Sequence, residues 1–220
     1  MSGSHDHHDH HHGDGHDHDD HAPIEQDAEA KEFALLERAI RELLIEKGLF
    51  TADDVRRVID QGATVSPADG ARVIARAWRD PAYKQRLLAG SKQAIEELGY
   101  DLGGPEPNLI VLENTPAVHH VVVCTLCSCY PRVLLGPPPD WYKSKEYRAR
   151  VVSEPRAVLQ EFGTALPETV EIRVVDSTAD MRYLVLPMQP KGTESLDEPG
   201  LAALVTRDCM VGVTLPRSGA

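Results

Sequence analysis

The chain has 220 residues and carries 35 acidic against 23 basic side chains, a net charge of −12. That balance and the lack of a basic patch exclude nucleic acid as a partner, and no apolar run approaches the roughly 20 residues of a membrane span. With 41% apolar residues the chain can bury a sizeable core, so one substantial domain plus an appendage is expected.

Residues 1–26 read as a His/Asp-rich tail. Nine of the eleven histidines precede residue 22, interleaved with Asp6, Asp9, Asp14, Asp17, Asp19 and Asp20. These aspartates carry half of the net charge. Such a tract has no apolar face to bury and is expected to be disordered, a solubilising tail able to hold divalent metal loosely. Residues 27–104 read as a helical arm. Phe33, Leu36, Ile40, Leu43 and Leu44 recur at three and four, and Gly48 ends the run. Thr51 opens a second helix to about Ile59. Ser66-Pro67-Ala68-Asp69 opens a third, Asp80-Pro81 a fourth and Ser91 a fifth, stopped by Gly99. So much apolar helix surface either packs on the body or wraps a partner subunit.

After Gly103-Gly104-Pro105 the pattern changes. Residues 109–112 and 118–123 read as strands joined by a turn at Asn114-Thr115-Pro116, with His119 and His120 in the second. These histidines are expected to make structural hydrogen bonds rather than hold metal. Pro137-Pro138-Pro139 forces an extended turn. Helices are expected over 143–152 and 155–162, a pair of strands over 170–175 and 181–186, and a last helix over 201–206. The predicted fold is α+β: the helical arm, then a layered α-β-β-α metal-binding domain over residues 105–220. No Gly-rich phosphate loop, G-x-S-x-G or H-E-x-x-H is present.

Chemistry concentrates in Cys124-Thr125-Leu126-Cys127-Ser128-Cys129, which holds three of the four cysteines. Thiols so close together pair poorly as disulfides but can converge on one ion. Cys127 and Cys129 flank a single residue, so their sulfurs and the backbone nitrogens of Ser128 and Cys129 can lie in one plane, with Cys124 as an axial thiolate. Five ligands leave a sixth position open, the need of a Lewis-acid catalyst. A structural zinc site in a non-catalytic interaction module is the alternative, with His119, His120 or Cys209 as fourth ligand. Cys209 otherwise reads as a small buried residue. Clustered free thiols and the lack of a signal-peptide pattern place the chain in the cytoplasm.

The stretch Val121–Pro131 resembles the metal-binding segment of the nitrile hydratase alpha subunit family. Thr125 and Tyr130 resemble its cobalt type rather than its iron type. The likeness continues through Ala75-Arg76-Ala77-Trp78-Arg79-Asp80-Pro81, Leu112-Glu113-Asn114-Thr115-Pro116, Pro138–Lys143 and Tyr147–Val152, and covers roughly residues 30–215. The resemblance implies one low-spin cobalt(III) per chain, iron(III) being the less expected metal. Its ligands would be Cys124, Cys127, Cys129 and the deprotonated amides of Ser128 and Cys129. It further implies Cys127 as sulfinate and Cys129 as sulfenate, the latter serving as nucleophile or base, with the Ser128 hydroxyl near the sixth ligand. Oxygenating the sulfurs withdraws charge and restores Lewis acidity. The implied reaction hydrates a nitrile to an amide. The implied partners are a beta-type subunit in a heterodimer or larger heteromer, which supplies arginines to the oxidised cysteines, and a metal-loading activator protein.

Three departures resemble instead the gamma subunit of thiocyanate hydrolase, which converts thiocyanate to carbonyl sulfide and ammonia at the same kind of centre. Tyr130-Pro131-Arg132 replaces a usual Tyr-Pro-Trp. Pro105-Glu106-Pro107 replaces an upstream Gln-Gly-Glu, and Val175 an aromatic. A guanidinium at Arg132 fits an anionic substrate; a salt bridge at a subunit interface is its other reading.

Overall fold

The computed structural model describes residues 28–63, 65–102 and 108–217. The His/Asp-rich tail and the Pro105-Glu106-Pro107 departure lie outside the described residues. The chain mixes helix and strand. Helix α1 (Ala28–Glu46) ends before Gly48, whose φ of 71° takes the chain out of the helix. Helix α2 (Ala52–Ala63) starts with a capping box: the Asp54 N–H donates to the Thr51 hydroxyl, and the Thr51 N–H donates to the Asp54 carboxylate. Apolar side chains on both helices remain outside the core. Phe33 is 63% exposed, Leu36 52% and Val58 68%.

Helix α3 (Pro67–Arg79) behaves differently. Its Val73, Ile74 and Ala77 are buried in the same core as the strands, and Gly70 lets it approach Leu135 and Met210 closely. The Trp78 indole N–H donates to the Pro187 carbonyl at 2.8 Å. Helices α4 (Pro81–Ala89) and α5 (Ser91–Glu96) follow, and Tyr83, Leu87, Ala94 and Ile95 enter the same core.

Among the described residues four strands carry the rest: β1 (Asn108–Glu113), β2 (Val118–Val123), β3 (Glu171–Asp176) and β4 (Met181–Leu186). The turn after Asn114 joins β1 to β2, but these two do not pair. β1 pairs in parallel with β4, Val111 opposite Leu184, and β2 pairs in parallel with β3, Val121 opposite Val174. Each short connection thus steps from one two-stranded sheet to the other. Strand propensity reveals the strands but not their partners, which are set by burial. Five of the six β2 residues are buried, as a parallel strand covered on both faces requires.

Between β2 and β3 lie α6 (Arg132–Leu135), α7 (Asp140–Lys143), α8 (Lys145–Ser153) and α9 (Pro155–Glu161). The first two are single turns flanking the proline run, too short to show periodicity. The expected last helix over 201–206 is corrected to two. In α10 (Glu198–Ala202) the Asp197 side chain accepts from the Gly200 N–H, and α11 (Arg207–Val211) begins anew where the Thr206 hydroxyl accepts from the Cys209 N–H. Two caps nine residues apart interrupt what composition alone joins. No helix among the described residues is long and apolar enough to cross a membrane.

His119 and His120 are both buried, and Asn114 satisfies both. The His119 Nε2–H donates to the Gly212 carbonyl at 2.7 Å, so its Nδ1 accepts from the Asn114 amide at 3.0 Å. The Asn114 oxygen accepts from the His120 N–H at 2.8 Å and from the His120 ring Nδ1–H at 3.1 Å. Gly212 has φ 92°, and a Cβ there would lie 2.0 Å from the His120 carbonyl oxygen. The expected structural role of the histidines is what the geometry shows.

Burial holds both imidazoles below their ordinary value of 6.5; the backbone bond to Gly212 opposes this for His119, and the Arg173 charge adds to it for His120. The unfolded chain therefore binds more protons below that value, and this share of stability, complete above pH 6.5, is lost as pH falls. Melting temperature measured from pH 8 to pH 5 should fall on the acid side, and His119→Gln should flatten part of that slope. Asn114→Ala, which strands three buried polar groups, should cost about 3 kcal/mol in denaturant unfolding.

Candidate metal centre

Strand β2 ends at Val123 and delivers Cys124 directly into the core, 1% exposed. The chain then turns outward. Leu126 forms the tip at 88% exposure, Cys127 is exposed, and Cys129 returns to a half-buried position. The three sulfurs all lie within 4.8 Å of one another. Cys127 Sγ is 3.4 Å from Cys124 Sγ and 3.3 Å from Cys129 Sγ. The Cys127 N–H donates to Cys124 Sγ at 3.3 Å, and the Ser128 and Cys129 amides donate to Cys127 Sγ. Sulfurs and amides therefore converge on one side of the loop.

Three side chains hold this loop by its backbone. Asp176, at the end of β3, accepts from the Thr125 N–H at 3.0 Å and from the Thr125 hydroxyl. Arg148, on α8, donates to the Cys127 carbonyl at 3.3 Å. The Tyr142 hydroxyl, on α7, donates to the Cys129 carbonyl at 2.8 Å. Behind them Tyr142, Tyr130, Trp141, Tyr147 and Phe162 pack largely edge to face, with Trp141 and Phe162 centroids 4.8 Å apart.

The sulfurs share their protons unequally. Hydrogen bonds from Cys129 and then Cys124 hold the Cys127 thiol below its ordinary value. Burial, followed by the bond to Cys127, pushes Cys129 up to about 12, against a downward pull from Arg182. One thiolate is favoured and its neighbour resists, as expected for like charges in contact.

The predicted site residues fall as follows. Cys124, Cys127, Ser128 and Cys129 are together on one loop. Ser128 is half-buried, and its hydroxyl makes no hydrogen bond among the described residues. Arg132 opens α6 and lines a cleft of about 600 Å³ whose wall runs from Tyr130 to Val133, immediately past Cys129. His119, His120 and Cys209 do not join the sulfurs, and among the described residues no fourth His, Cys, Asp or Glu does. Cys209 is buried, its thiol pushed up to about 11 by burial. The zinc alternative thus lacks its fourth protein ligand.

Sequence reasoning missed Asp176, Arg148 and Tyr142 as loop anchors. Asp176 becomes legible only through the β2–β3 register, which sets it opposite Val123. Arg148 and Tyr142 sit in stretches quoted for the family likeness, where nothing local marks their role.

A buried strand presenting three convergent thiols, braced by a carboxylate, a guanidinium and a phenol, defines a thiolate cluster that could hold a metal ion. The model of the nitrile hydratase alpha chain family matches residues 31–214, and the chain belongs to that family. The gamma subunit of thiocyanate hydrolase from Thiobacillus thioparus is 47% identical over 201 residues, covering 87% of this chain and 83% of that one. The alpha subunit of the low-molecular-weight cobalt-containing nitrile hydratase from Rhodococcus rhodochrous is 48% identical over 188 residues, covering 84% and 90%. Among solved structures, a double mutant of the iron-type nitrile hydratase from Comamonas testosteroni superposes with a TM-score of 0.79 at 42% identity, over 88% of this chain and 95% of that one. The relatives thus include cobalt and iron proteins, and nitrile and thiocyanate enzymes.

The anchors generate a direct expectation. Asp176→Ala frees the Thr125 N–H and hydroxyl and loosens the loop at its first turn. Metal per chain, measured by atomic emission on the purified complex, should drop well below wild type while circular dichroism stays unchanged. Full metal content in Asp176→Ala would remove Asp176 from the site.

Proposed function

We propose that this chain is the metal-bearing catalytic subunit of a nitrile-hydrating enzyme. The observation that carries this reading is the convergence of three sulfurs within 4.8 Å on an exposed loop whose Ser128 and Cys129 amides face the same point. That donor set fits a trivalent, low-spin ion better than zinc, because thiolates and amide nitrogens are strong donors. Cys124, Cys127, Cys129 and the two amides would hold cobalt(III), as the cobalt-containing relative favours. When bound, the ion supplies Lewis acidity at an open coordination position.

The chain's own groups do the rest. Cys127 is assigned as sulfinate and Cys129 as sulfenate, following the family resemblance. The Cys129 sulfenate oxygen would either take a proton from the attacking water or attack the nitrile carbon itself, in which case water then attacks the sulfur, breaks the S–O bond, releases the amide and restores the sulfenate. The Ser128 hydroxyl lies beside it on the same loop, free to hold the substrate nitrogen side. The net change adds one water across the C≡N bond and leaves an amide.

The loop tip and the arm need a partner. Leu126, Phe33, Leu36 and Ile40 are exposed apolar side chains, and a beta-type subunit over them would shield the claw formed by Cys124, Cys127 and Cys129 from bulk water. Both curated relatives are named as single subunits of an enzyme. We place the complex in the cytoplasm, where clustered thiols persist before metal loading by an activator protein.

Thiocyanate hydrolysis is the second reading. Arg132 favours it, because its guanidinium lines the cleft beside the claw and makes no ion pair among the described residues. The natively purified complex should convert a simple nitrile to its amide, with one oxygen added to Cys129 and two to Cys127 by peptide mass spectrometry. Three plain thiols in an active enzyme would sink the oxidised-claw mechanism. Rapid thiocyanate loss with ammonia release and no amide would move the chain to the hydrolase reading. Zinc in the complex and turnover of neither substrate would leave only the interaction module.

A further inference from the structure

The cleft beside the claw is unusual for a protein of net charge −12. Its described lining contains Arg132, Arg182 and Lys92 and no carboxylate. Lys92 is offset by Glu96, which lies 3.9 Å away along α5. Arg132 and Arg182 are not offset in this way. Arg182 lies on β4, opposite Leu109 of β1, and its guanidinium donates to the Thr178 and Met181 carbonyls. Carbonyls fix the direction of the group without neutralising its charge. The neighbouring wall supplies polar groups, Ser91 and Asn108, and apolar ones, Leu109 and Tyr130.

Two guanidiniums that make no ion pair among the described residues, one on α6 and one on β4, line one cleft that begins a residue past Cys129. Low-dielectric walls focus such a field and raise the local concentration of small anions. A neutral substrate gains nothing from either charge.

We infer that Arg182 is a second specificity-determining residue, which with Arg132 makes the cleft a selector for a small linear anion such as thiocyanate. This rests on the thiocyanate reading of the same site and adds to it a residue from another strand. Arg182 is a positioning residue for the incoming anion; it does not take part in bond making.

The test uses the native metal-loaded complex with its partner subunit. Thiocyanate binding is followed by equilibrium dialysis and by its inhibition of nitrile turnover, at low and high salt, in wild type, Arg182→Gln and Arg182→Lys. Relative to KM for a neutral nitrile, thiocyanate affinity should fall about tenfold in Arg182→Gln, the weight of one charge-assisted contact. Arg182→Lys should keep most of it, and the salt dependence should shrink only in the Gln variant. Equal losses for nitrile and thiocyanate in Arg182→Gln would show a merely structural residue and overturn the assignment. So would unchanged thiocyanate affinity, or a wild-type complex that binds no thiocyanate. A complex that binds thiocyanate through Arg182 yet never hydrolyses it would retire the hydrolase reading and leave the anion cleft standing.

Discussion

The geometry of the claw depends on β2 being held on every side. Its faces are buried, and one edge pairs with β3. At the other edge the Tyr147 hydroxyl donates to the Val122 carbonyl at 2.7 Å. The ladder runs on past β3, where the Ser177 N–H donates to the Val123 carbonyl at 2.7 Å. His119 ties the start of the strand to Gly212 at the end of α11. A backbone carbonyl buried without a partner costs as much as a lost hydrogen bond, so each of these links fixes the strand in one place. Cys124 follows with no residue of slack, and the first sulfur inherits the rigidity of the strand. The later two sulfurs lie on an exposed turn, and Asp176, Arg148 and Tyr142 supply from outside what the turn lacks in itself.

Much of this was legible from residue patterns. Local chemistry marked the helix starts at Thr51, Ser66 and Asp80, and the four strands stood out by composition. The sulfur cluster was legible because chemistry with strict ligand demands leaves tight spacing. What failed to show was anything set by partner choice. The parallel crossing of β1 with β4 and β2 with β3 is a tertiary outcome, since each strand is equally suited to its sequence neighbour. Asp176 and Arg182 stayed hidden for that reason: one is brought to Thr125 by the β2–β3 register, and the other to the cleft by the β1–β4 register. The break between α10 and α11 was missed because Leu201 and Val205 look continuous, while Asp197 and Thr206 each start a new helix.

The distribution of exposed apolar surface separates the arm from the body. From α3 onward most of the large apolar side chains enter one core, including Val73, Leu87, Leu134 and Leu184. On α1 and α2 they do not, although Phe33, Leu36, Ile40 and Leu43 form the stripe expected of a buried helix face. An isolated helix gains little from its own propensity and takes most of its stability from packing. The arm is thus the least self-sufficient part of the chain, and the claw tip at Leu126 shares that property. Both are built as though water were to be excluded by another surface.

The two candidate reactions ask the same thing of the sulfurs and different things of the cleft. A nitrile and thiocyanate both present a linear C≡N group, so the loop from Cys124 to Cys129 need not change between them. Charge is the difference. A guanidinium at position 132 must be partly stripped of water as the cleft fills, and only an anion restores what is lost. An apolar or aromatic side chain there carries no such cost and adds contact area for a neutral substrate. On the proposed reading, selection between the reactions falls to Arg132 and Arg182, which lie outside the proposed ligand set and can vary while those ligands stay fixed.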